Sequence, residues 1–440
     1  MHKTTYIILF GLCGLLPVDA QYRTKAIDSG IRTLRVRYAE QSGVQRPFLV
    51  LQDGVVDGID PQNTLEISFD EMSHDVRFYT YTLLHLNADW TESSLSSSEY
   101  VSGFTTQDVS DYAHSLNTRR DYTHYRFLFP NEDMQIRASG NYALKIYEDG
   151  NPDKVAAFVC FSVVEPLAGI TAEIRSNTSI ELSGRYQQVD IDINTSALDL
   201  RDPNEIKTVV RQNGRIDNRA IPNAPTYVEP NRLRYINQRE LIFEGGNEYR
   251  HFDAYSVYFS GTGIDRIHFD NRDYHAFLFA DALRGTGAEY SGGVVTDKCG
   301  TPYMHEYDAD GQYLINAERT TDTDTEAEYM WVHWTLPARN PWFDGSVYVG
   351  GDLFFNHLGA DNRMSYDNEN RCYYLTRLVK QGGYDYQYWF VNKGGTGATL
   401  QRTEGSHWQS ENEYTIYVYY RPFGGRYDQL VGYQILRSTE

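Results

Sequence analysis

Within NEYRHFD, residues 247–253, a carboxylate (Glu248), a guanidinium (Arg250), an imidazole (His251) and a second carboxylate (Asp253) follow closely on one another. Such groups do acid–base chemistry when a base reaches the proton it must move. The stretch AYSVYF that follows reads as strand, and period two then puts Glu248, Arg250 and Phe252 on one face and Tyr249, His251 and Asp253 on the other. Glu248 therefore does not reach His251. The alternation instead sets Glu248 beside Arg250 and His251 beside Asp253, each pair about 7 Å apart along the strand. A polar corner that fixes register or seats a loop outweighs catalysis, which needs a partner nucleophile or metal. The chain has no GxSxG, SxxK, HExxH or GxxxxGK[ST] motif. GTGIDR (Gly261 to Arg266) and GTGAEY (Gly285 to Tyr290) lack the third glycine of a dinucleotide loop. DADG (Asp308 to Gly311) and TDTDTEAE (Thr321 to Glu328) miss the EF-hand spacing, and no Cys or His spacing fits zinc. The expectation is no catalytic residue, no metal and no cofactor.

The elements that carry this corner are strands. QQVDIDI turns Val189, Ile191 and Ile193 to one face and Asp190 and Asp192 to the other. NYALKIY and VAAFVCFSV flank EDGNPDK and read as a hairpin. No long amphipathic helix is visible. Short strands between Gly, Asn, Asp and Pro turns predict an all-β chain of several immunoglobulin-like β-sandwich domains. The expected divisions are a leader at 1–20, an N-terminal immunoglobulin-like sandwich at 21–166, a second sandwich at 167–285, a long excursion and connecting strand at 286–341, and a C-terminal sandwich at 342–440. The leader has a basic start, an apolar run and a small Ala20 before Gln21, so it reads as an export signal. No later run is long enough for a transmembrane helix. In an oxidising compartment Cys160 reads as a buried thiol, while Cys299 and Cys372 are either bridged or free. Lys and Arg number 40 against 60 Asp and Glu, a net of -20, which excludes nucleic acid as a partner. The 36 Tyr favour strands and aromatic contact surfaces.

Several segments together have a familiar order: HLNADWTESSLSSSEYVSGF, SLNTRRDYTHYRFLFPNEDMQIRASGNYALKIYEDG, VVRQNGRID, FEGGNEYRHFD, RMSYDNENRCYYLTRLVKQGGYDYQYWF and YYRPFGGRYDQLVGY. On these the mature chain resembles the type IX secretion system plug protein family of the Bacteroidetes. The resemblance implies a non-enzymatic, monomeric protein of the periplasm, associated with the outer membrane, that seals the inner mouth of the barrel translocon. It marks Asn87, Asp89 and Trp90, then Ser139, Gly140, Asn141 and Tyr142, then Asn247, Glu248, Arg250, Phe252 and Asp253 as family landmarks. Tyr249 stands where the family pattern has Phe. The alternative is a glycan-binding sandwich using the aromatics of Val347 to Phe390.

Overall fold

The computed structural model describes residues 21–40, 48–180, 182, 184–284 and 308–438. The expected leader and Cys299, with its pairing to Cys372, lie outside these residues. The regular structure of the described residues is mostly strand, with two short α-helices, Ser97–Tyr100 and Thr323–Glu326, and four single-turn 3-10 helices.

Three large apolar cores organise the described chain, with two small clusters beside them. In the first unit a six-stranded sheet, which includes Tyr79–Leu86, Gly140–Glu148 and Val155–Val164, faces the four-stranded sheet of Ile31–Tyr38, Leu65–Glu71, Thr123–Phe129 and Asp111–His114. The hairpin read around EDGNPDK is present, and Asp149 and Gly150 supply the positive φ angles (56° and 64°) of its turn. In the middle unit Val189, Ile191 and Ile193 are buried, while Asp190 and Asp192 turn outward to ion pairs with Arg175 and Arg232, both at 2.6 Å. The third unit packs two five-stranded sheets around Phe252, Trp334 and Tyr384.

The strands of 342–440 are shared between two of these cores. Cys372–Lys380 and Gly382–Asn392 belong to the third unit, whereas Glu413–Tyr420 and Gln429–Arg437 form a sheet with Ile206–Gln212 of the middle unit. The final hairpin thus supplies Tyr414, Ile416 and Val418 to the middle core. Of the expected excursion, Tyr313–Ile315 pairs with Gly382–Asn392, and Tyr329–Pro337 lies inside a third-unit sheet between Tyr274–Leu278 and Cys372–Lys380.

Strand Leu65–Glu71 shows how the units join. Leu65, Ile67 and Phe69 point into the first core, as period two requires. Its opposite face, Glu66, Ser68 and Asp70, is also buried, because the third unit lies over it. Lys380 reaches Asp70 at 2.7 Å with no exposed side-chain surface, and the Tyr329 hydroxyl donates to the same carboxylate at 2.7 Å. His124 Nδ1 lies 2.6 Å from the other Asp70 oxygen. Around this pair, Arg35 meets Asp324 at 2.6 Å, and Arg120 makes two bonds to Asp273, at 2.9 and 2.7 Å. Burial alone would raise the Asp324 carboxyl, but Arg35 and His124 overcome it and hold it at about 2. Burial is likewise overcome at Asp70 by Lys380 and His124, so that carboxyl also lies below its usual range.

Lys380→Met strands a buried carboxylate and is expected to cost about 3–5 kcal/mol in denaturant unfolding, whereas Asp70→Asn with Lys380→Met costs less because no charge is left alone. A loss in the double variant equal to the sum of the losses in Lys380→Met and Asp70→Asn alone would show that the pair is not coupled. Because both carboxyls sit low in the folded state, their stabilisation is present above the ordinary value of 3.8 and is lost as the pH falls, for Asp324 down to about 2. Unfolding midpoints measured across that acid range should fall in the wild type and fall less in Asp324→Asn.

Candidate functional site

The strand at the NEYRHFD corner is Arg250–Asp253, paired with Gly382–Asn392. Arg250 and Phe252 face inward while His251 and Asp253 face outward, as the alternation required. Arg250 is buried and forks onto Glu404 (Nη2 to Oε2, 2.9 Å) and Asp281 (Nη1 to Oδ1, 2.8 Å), with a third bond to the Ala282 carbonyl (2.8 Å). Glu404 is wholly buried and also accepts from the Tyr388 amide, at 2.8 Å. The second Asp281 oxygen takes the hydroxyls of Tyr386 and Tyr388, both at 2.7 Å. Glu248 precedes the strand and is buried, accepting from the Glu411 amide at 3.2 Å. Asn247 donates to the Glu404 carbonyl at 2.9 Å. This side of the corner therefore fastens the segment 403–412, which leads from the third unit back to the middle one. Nearby, the buried Arg215–Asp217 pair lies against Trp389 and holds both backbone groups of Ala398.

On the outer side His251 sits between two carboxylates, Asp385 at 2.6 Å and Asp253 at 2.7 Å. The hydrogen bond to Asp385 raises the imidazole to about 9, so it is a cation at neutral pH. Asp385 also accepts from the Ala309 amide at 2.5 Å, and Asp308 accepts from the Tyr249 amide. Burial pushes Asp308 up to about 8.

The other two landmark groups meet each other 54 residues apart in sequence. Asn141, fully buried, donates to the Asn87 carbonyl at 2.9 Å and accepts from Ser162 (2.9 Å) and from Tyr419 of the final hairpin (3.0 Å). Asn87 Oδ1 in turn accepts from Arg421 at 2.7 Å. Asp428, 1% exposed, accepts from the Ala88 amide (3.1 Å) and pairs with Lys207 (3.0 Å) and Arg421 (2.8 Å). Trp90 is buried at a φ of 66°, with Arg211 of the middle unit 5.4 Å over its ring. Asp89 closes its own turn by accepting from the Thr91 amide and hydroxyl. Gly140 has a φ of 141°, and a Cβ there would come within 2.6 Å of His85 Nε2, so only glycine fits. That nitrogen lies 3.1 Å from the Ser139 carbonyl, and Tyr142 bonds the Ala138 carbonyl at 2.7 Å. Asn87, Gly140 and Asn141 thus lie where the end of the first unit meets the final hairpin, whereas Trp90 meets Arg211 of the middle unit and Tyr142 lies in the first core.

Sequence reasoning missed Glu404, Asp281, Asp385, Asp428, Asp70 and Lys380. A charge inside an aromatic run, as in GGYDYQYWF around Asp385, was the available signal. It marks a buried carboxylate without naming its partner. The arrangement is poor in chemistry: His251 already carries its proton and is held by two anions, which disqualifies it as a base near neutral pH. Among the described residues no group of three or more His, Cys, Asp or Glu side chains is placed to hold a metal ion. A surface depression of about 530 Å³ by Thr171, Asp192 and Asn231 has its carboxylate tied to Arg232. The aromatics that a glycan site in 347–390 would present are mostly inside: Tyr384, Tyr386, Tyr388, Trp389 and Phe390 are buried. The tyrosine enrichment likewise goes largely into cores and seams, as at Tyr79, Tyr122, Tyr142, Tyr329 and Tyr414.

His251 has a folded pKa above its ordinary 6.5, so its stabilisation is full below 6.5 and lost as pH rises through about 9. Solvent screening at this partly exposed side chain limits the effect to about 1 kcal/mol. His251→Gln should flatten that part of the stability profile in denaturant titrations between pH 6 and 10. An unchanged slope would remove His251 as its source.

Residues 31–165 match the family model for the type 9 secretion system plug protein 1st domain. The whole fold is similar to the crystal structure of a hypothetical protein from Parabacteroides merdae ATCC 43184, with 37% identity and a TM-score of 0.87 over 95% of this chain and 99% of that one. No curated protein matches. Among the described residues no helix is long and apolar enough to cross a membrane. The matched segment is the first unit, which carries the Asn87–Trp90 and Ser139–Tyr142 landmarks, and the chain belongs to the type IX secretion system plug protein family.

Proposed function

We propose that the chain is an exported, non-enzymatic plug of the periplasm that binds the outer-membrane barrel translocon of the type IX secretion system and seals its periplasmic opening between rounds of transport. One observation carries this reading beyond the family match. The first unit is fastened to the third through Asp70–Lys380 and to the middle unit through Asp428 and Asn141, while the middle and third units are joined through Arg250–Glu404 and through the hold of Arg215 and Asp217 on Ala398 and Trp389. All three units are thereby mutually braced. A body that must block a wide pore without deforming needs this, whereas a hinged string of domains would yield. Rigid surfaces also lose little conformational entropy on docking, so binding can be specific and still reversible. The net charge of -20 keeps the unbound protein soluble.

The chain is expected to copurify with the barrel from resting cells, and deleting its gene should admit large antibiotics that the intact outer membrane excludes. Unchanged permeability in the deletion strain, with the barrel still present, would defeat the proposal.

A further inference from the structure

The final hairpin is joined by Arg421–Asp428, and at its tip Phe423 is 92% exposed. A single exposed apolar side chain ordinarily calls for no explanation. This one is held in place from both sides. Its turn is closed by the Gly425 amide on the Pro422 carbonyl (2.7 Å), with Gly424 at a φ of 80°. The Phe423 amide donates to Glu205 Oε1 at 3.0 Å, and the Arg421 amide donates to the Glu205 carbonyl at 2.8 Å. Arg426, on the far side, bonds Glu99 of the first unit at 2.7 Å and the Ser94 carbonyl at 2.5 Å. Two units thus immobilise a turn whose apical ring is left almost entirely in water.

An aromatic whose backbone is ordered before contact is what an interface anchor requires, because its ordering cost is already met in the free protein. The surroundings select the partner. Glu205 touches the turn itself, and Arg201, bonded to Glu205 through its amide at 3.1 Å, is paired with the exposed Asp199. Counting Asp202 of the same segment and the turn's own Arg421 and Arg426, which are tied to Asp428 and Glu99, carboxylates outnumber cations around this tip, so an anionic lipid surface would repel it. A protein pocket with an apolar floor and a basic rim fits it.

We propose that Phe423 is a preformed anchor that inserts into an apolar, basic-rimmed pocket of a protein partner. The inference rests on the plug reading, which places that pocket on the periplasmic side of the barrel.

The test uses the full chain carrying Phe423→Ser, alongside the wild type with a photoreactive phenylalanine analogue at position 423, both expressed in intact cells. Because the ring is exposed, Phe423→Ser should leave the thermal unfolding midpoint unchanged. Barrel binding should weaken about thirtyfold, and the photoadduct should contain the barrel subunit. Capture of the barrel by Phe423→Ser as strong as by the wild type would overturn the anchor and leave the plug reading standing. Failure of the wild type itself to retain the barrel would overturn both. An adduct with lipid, or with no macromolecule, would also overturn the anchor.

Discussion

The structure depends on covering the polar face of a sheet with another unit. In strand Leu65–Glu71 the alternation that normally separates core from water separates one core from a seam, and Asp70 ends 1% exposed. Such a carboxylate is tolerable only if its charge is met in place, and Lys380, Tyr329 and His124 meet it. Lys380 has equally little contact with water, so neither residue is stable there unless the first and third units dock in one geometry. A displaced docking would leave two opposite charges buried apart.

The other seams obey the same rule with different chemistry. Between the first and middle units, Asp428 and Asn141 take donors from both sides, and the linker after Val164 is stitched by backbone bonds from Glu165 and Leu167 to Leu430 and Val431. Between the middle and third units, two buried guanidiniums, Arg215 and Arg250, lie against Trp389 and Tyr388 while holding Asp217 and Glu404. Planar guanidinium forks satisfy several acceptors at once and stack on rings, which makes arginine suited to joints that are both charged and aromatic.

This explains why most of the landmarks are not arranged like an active site. They are joints: Asn87 and Asn141 at one seam, Asn247 and Arg250 at another, with Gly140 there because His85 leaves no room for a Cβ. The demanding residues lie where the units meet.

Much of this was readable from residues alone. The period-two pattern of Tyr186–Asn194, the Asp149–Gly150 hairpin and the facing of Arg250–Asp253 follow from local backbone geometry, in which each residue's direction is set by its neighbours. The joining of Glu413–Tyr420 to Ile206–Gln212, the burial of Asp70 and the choice of Glu404 as the partner of Arg250 were not legible. Glu404 lies 154 residues from Arg250, and nothing in either local pattern specifies the other. Local sequence determined which face of each strand is polar. Only the tertiary structure decided whether that face meets water or another unit, because burial depends on what docks from elsewhere in the chain.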